Sequence, residues 1–119
     1  LESLEFDEKW QQLKARFKER LVVRFADINT AWTTLTREPD NLAALSALFH
    51  LVHSLAGSGA TFGFERLSER ARELEPVLDP QLESGRYPVE GQRRKRIEEG
   101  LELIRREANL INDQVSVHN

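Results

Sequence analysis

At 119 residues the chain is long enough for one ordinary domain, which hides about two-thirds of its unfolded surface and needs no disulfide or metal staple. With 31% charged and 39% hydrophobic residues it has the balance of a soluble fold, and a net charge of −3 gives no reason to expect nucleic acid or a membrane as partner. The lack of cysteine excludes a disulfide framework and a cysteine-ligated zinc site, no run approaches the roughly 20 apolar residues of a bilayer span, and no signal-peptide pattern opens the chain.

Apolar residues at Phe6, Trp10, Leu13, Phe17, Leu21, Phe25, Ile28, Trp32 and Leu35 recur at helical spacing. Three consecutive steps of four in the middle of this series predict a break near Lys18 to Val22, which would set off a short N-terminal lead helix. Pro39 ends the segment, because the residue before a proline is pushed out of helical geometry. Asp40 or Asn41 can cap the next helix through a side-chain oxygen.

The second long helix carries Leu42, Leu45, Phe49, Val52 and Ala56 on one stripe and is expected to run to about Gly59. Gly63 marks the boundary with a third helix bearing Phe64, Leu67, Ala71, Leu74 and Leu78, whose last turn Pro76 is expected to disturb. Residues 79 to 91, DPQLESGRYPVEG, read as a loop. The final helix shows Ile97, Leu101, Ile104, Ala108, Ile111 and Val115 in four-three alternation, and His118 falls in a tail. No strand alternation occurs, so the expected fold is all-α: an antiparallel four-helix bundle with a short lead helix, one domain over 1–119. The chain begins at Leu1 and contains no methionine, which suggests a piece of a larger multidomain protein.

The stretch HSLAGSGATFGF, residues 53 to 64, departs most from ordinary helix composition. On a helical wheel His53 falls roughly 90° from the centre of the apolar stripe, and Ser46, His50 and Gly57 lie along the same border. Gly57 sits one turn after His53, although glycine inside a helix costs about 1 kcal/mol relative to alanine. A costly residue at mid-helix marks close approach by something else, whether a packed helix or a partner. The pattern is that of an imidazole on a rigid helix beside a shallow recess.

The order His53-Ser54-Leu55-Ala56-Gly57, with Gly63 ten positions after the histidine, resembles the signature of histidine-containing phosphotransfer domains. The resemblance implies a four-helix bundle with the active histidine on its second helix. It further implies that His53 accepts a phosphoryl group from a receiver-domain aspartate and passes it on in a two-component phosphorelay. The chain would be a phosphoprotein and carrier with no catalytic activity of its own. It would need no cofactor, with magnesium expected only on the partner receiver. It would act as a cytoplasmic monomer, docking the receiver of a response regulator or hybrid histidine kinase.

The position three after the histidine, usually lysine in that family, is Ala56 here. In the lysine's absence Ser58 can offer a hydroxyl, and Arg66 or Arg70 positive charge, with Ser46, His50, Ser54, Gly57 and Gly63 completing the site and its docking surface. The alternative from another class is a bundle that docks a receiver or kinase without carrying phosphate. Three further readings have less behind them. His50 as acceptor lacks a glycine four residues on, where Ser54 stands. His50 and His53 as half a metal site lack inward-facing ligands on other helices, so no metal is expected. The run Arg93-Arg94-Lys95-Arg96 reads as a solvated face, since Glu98 and Glu99 follow at once.

Overall fold

The computed structural model describes residues 2–81 and 88–117, with side chains from 3 to 113. Val115 of the expected stripe, His118 and the middle of the 79–91 loop lie outside the described side chains. Four helices follow one another: α1 (Glu2–Arg37), α2 (Leu42–Thr61), α3 (Glu65–Leu78) and α4 (Gly91–Val117), with no strand among the described residues. Short turns make α1, α2 and α3 successively antiparallel. α2 packs between α1 and α3, α4 packs on α3, and α1 meets α4 least.

The expected break in α1 does not exist: its 36 residues form one helix. At 1.5 Å per residue such a helix is about 54 Å long, which accounts for the 55 Å long axis of the molecule. No proline or glycine occurs between 1 and 38, and those residues are the usual causes of a sharp kink. The drifting stripe is absorbed by exposure instead. Phe17 and Leu21 are buried, while Leu13 is 45% exposed and Phe25 only half-buried.

Asn41, of the two candidate caps, starts α2: its side chain accepts from the Ala44 amide at 2.9 Å. By length and composition α2 is apolar enough to cross a membrane, with mean hydropathy 1.3 over its best window, which corrects the expectation that no run of the chain approaches such a span. In the fold it is the central helix, with Leu45, Leu48, Val52 and Leu55 buried in the bundle. It continues past Gly59 to Thr61. Phe62 then donates to the Ser58 carbonyl at 3.1 Å, and Phe64 to that of Gly59 at 2.8 Å. Between them Gly63 adopts φ +81, a left-handed conformation that favours glycine and turns the chain into α3. Trp10 and Phe17 of α1 pack on Phe62, ring centroids 5.4 and 5.2 Å apart, and seat this turn on the bundle.

Pro76 does not end α3 early. Leu78 and Val77 bury in the core and hold the last turn, which closes with the Asp79 amide on the Glu75 carbonyl at 2.9 Å. Helix α4 lies close against α3, since a Cβ at Gly100 would stand 2.6 Å from a methyl of Leu74.

Candidate functional site

His53 projects from the middle of α2 with its side chain 66% exposed. Its Nδ1 lies 3.0 Å from Oε1 of Glu75 on α3, a carboxylate only 23% exposed. A carboxylate only accepts, so Nδ1 carries the proton and donates it, and in the neutral ring the lone pair is then on Nε2. Phe49, one turn earlier on α2, stacks on the imidazole with centroids 5.9 Å apart and planes 24° apart. The ring is therefore held at one nitrogen and on one face while its second nitrogen carries the lone pair.

The three glycines of the stretch have three different roles. A Cβ at Gly57 would meet nothing within 4 Å among the described residues, so none of their atoms requires a glycine there. One turn from His53, the described residues leave that position open. A Cβ at Gly59 would stand 3.3 Å from the Phe64 carbonyl oxygen and the Ser68 amide, so this glycine lets α2 and α3 approach. Gly63 serves the turn by its positive φ and is not beside the imidazole. Ser68, 2% exposed, fastens the same seam by donating its hydroxyl to the Ala56 carbonyl at 2.7 Å.

Ser46, His50 and Gly57 share the outward stripe of α2 with His53. Ser54 is turned toward α1, where the Arg24 guanidinium donates to its hydroxyl. Beyond it an open groove of about 910 Å³ runs between α1 and α2, its walls including Arg24, Thr30, Ala47 and His50. Ser58 is five residues beyond His53, about 140° round the helix, and is not beside the ring.

The two arginines expected to supply charge do not reach the site. Arg66 pairs with Glu107 of α4 at 3.3 Å, and Arg70 pairs with Glu73 at 3.4 Å while lining the α3–α4 groove. They lie about 180° and 140° round α3 from Glu75, on its far flank. Ala56 is 3% exposed against α3, so the position of the family's lysine contributes packing here and no charge. The basic run at 93–96 disperses around α4. Arg93 turns inward, donates to the Val77 carbonyl at 3.1 Å and has its pKa lowered by burial. Arg94 pairs with Glu98. Among the described residues no three histidine, aspartate or glutamate side chains converge as a metal would require.

Glu75 was missed in the sequence. It stands eleven residues after Phe64 and His53 eleven before, which allows the two to be level across the hairpin, but only the packing of α3 on α2 turns their side chains together.

Residues 12–107 match the family model of the Hpt domain. The chain belongs to the Hpt domain family. Hpt domains are phosphoryl carriers of phosphorelay signalling that interact with receiver domains. A curated relative, the chemotaxis protein CheA of Halobacterium salinarum, is 34% identical over 77 residues, which cover 65% of this chain and 11% of that protein. The chain thus spans about a tenth of the relative it matches. No solved structure matches.

Proposed function

We propose that His53 is the phosphoacceptor of this Hpt domain, taking a phosphoryl group from the aspartate of a receiver and surrendering it to another. The observation that carries this reading is the pairing of Nδ1 with Glu75 at 3.0 Å beside an unfilled Gly57. Nε2 attacks phosphorus in line. The new phosphorus–nitrogen bond forms as the bond to the aspartyl oxygen breaks, and the electron pair leaves on the carboxylate. Nδ1 keeps its proton throughout, so the ring becomes cationic and the Glu75 carboxylate stabilises it. The reverse step returns the phosphoryl group to an aspartate.

Transfer of this kind rests on positioning and charge neutralisation. In this reading the receiver supplies magnesium and the acidic pocket, and the chain supplies an oriented nucleophile and a surface, without catalysis of its own. Ser46, His50, Ser54 and Gly57 would line that surface, with the α1–α2 groove beside it. The compartment this reading assigns is the cytoplasm, where a monomeric carrier meets soluble receivers.

The test is incubation with a phosphorylated receiver and magnesium. Acid-labile, base-stable phosphate should appear on the wild-type chain and be absent from a folded His53→Gln variant. A chain that binds the receiver yet never acquires label would instead be a docking module. Label retained in His53→Gln would show that another residue is the acceptor.

A further inference from the structure

Ala56 leaves the α2 face of the site without a cation, and Arg66 and Arg70 point to α4. A phosphoryl group on Nε2 brings about two negative charges next to the Glu75 carboxylate, so a positive group within reach would be of consequence. The α2–α3 register shows where it can come from. His53 faces Glu75 and the Ala56 carbonyl faces Ser68, so the α3 residues between 68 and 75 stand opposite positions 53 to 56. Arg72 is in that interval, three residues before Glu75, one turn along α3 and about 60° round it toward solvent. It is exposed, and it enters no ion pair or hydrogen bond with the described residues.

The other charged and titratable groups around the ring are already committed or lie elsewhere. From α1, Arg24 is held by Ser54 on the opposite bank of the stripe. From α2, His50 lies against Phe49, ring centroids 5.5 Å apart. From α3, Glu75 holds Nδ1 and Glu69 is a further turn beyond Arg72.

We infer that Arg72 is the phosphate-contacting cation of this Hpt domain, supplying from α3 the charge that the family's lysine supplies from α2. The inference rests on His53 being the acceptor. An arginine side chain spans a helical turn, and its planar fork of N–H donors matches two phosphoryl oxygens at once. Without a partner among the described residues, it is ready to pair as the phosphorus–nitrogen bond forms.

The experiment uses phosphoramidate as a small donor, so that no receiver docking enters. Nε2 displaces ammonia from phosphorus, and phosphohistidine is followed by 31P NMR. A surface charge about 6 Å away at high effective dielectric is expected to change the rate ~3- to 10-fold. Arg72→Ala should therefore accept phosphate ~3- to 10-fold more slowly, and the second ionisation of its phosphoryl group should weaken by the same factor. Arg72→Lys should recover most of both effects, and Arg66→Ala should match the wild type. If Arg72→Ala matches the wild type in rate and titration, the inference is overturned while the acceptor assignment stands. If the wild type itself takes no label at His53, both fall.

Discussion

Replacing Glu75 by glutamine isolates the charge that stabilises the phosphorylated ring. The side chain keeps its size, and its amide oxygen can still accept from Nδ1, but the carboxylate charge is gone. Glu75 is 23% exposed and His53 66% exposed, at an N–O distance of 3.0 Å. Two unit charges 4 Å apart interact by about 1 kcal/mol in water and about 4 kcal/mol at an effective dielectric of 20. Discounted for solvent around a mostly open imidazole, the loss comes to roughly 1–2 kcal/mol, or about 5- to 30-fold in rate. Glutamine also offers an N–H donor, which favours the tautomer protonated at Nε2 and lowers the nucleophilic fraction further. The assay is the single-turnover rate of transfer from a saturating phosphorylated receiver, alongside receiver affinity and thermal unfolding. The rate should fall with affinity and melting temperature nearly unchanged. A Glu75→Gln protein that transfers within twofold of wild type would refute the role given to this carboxylate.

The glycines separate cleanly by substitution. Gly57→Ala enters open space on a helix and should raise stability by up to about 1 kcal/mol in denaturant unfolding. Gly59→Ala presses a Cβ against backbone atoms of Phe64 and Ser68 that cannot swing aside, and it should lower stability despite the better helix former. Gly57→Leu should leave the fold intact and slow transfer from a receiver at least tenfold, because the bulk stands where the partner must approach; unchanged kinetics would remove the recess from the account. Ser68→Ala leaves the Ala56 carbonyl without its buried donor and should cost about 1 kcal/mol in the same unfolding measurement.

Much of the bundle was legible because helical period and local punctuation decide it. Asn41 capped α2 and Gly63 divided α2 from α3 at the expected positions, and His53 stands on the outward face that its angle to the stripe required. The readings that failed leaned on one local cue against a larger context. The stepped stripe of α1 suggested a break, but nothing in that segment interrupts the hydrogen-bond ladder, and a long helix can leave Leu13 half in water. Pro76 weakens a turn that Val77 and Leu78 hold by burial. Arg66 and Arg70 were near in sequence to the third helix's start, but which flank they occupy depends on helix rotation, which only the α2–α3 packing reveals. Glu75 and Arg72 needed the same register. Periodicity within one helix is blind to a contact that joins two.

The most direct measurement is 31P–15N coupling on 15N-labelled protein after phosphorylation by a receiver. The account predicts one phosphorus coupled to Nε2 of His53, with Nδ1 still bearing its proton. Coupling at Nδ1, or on His50, would contradict it.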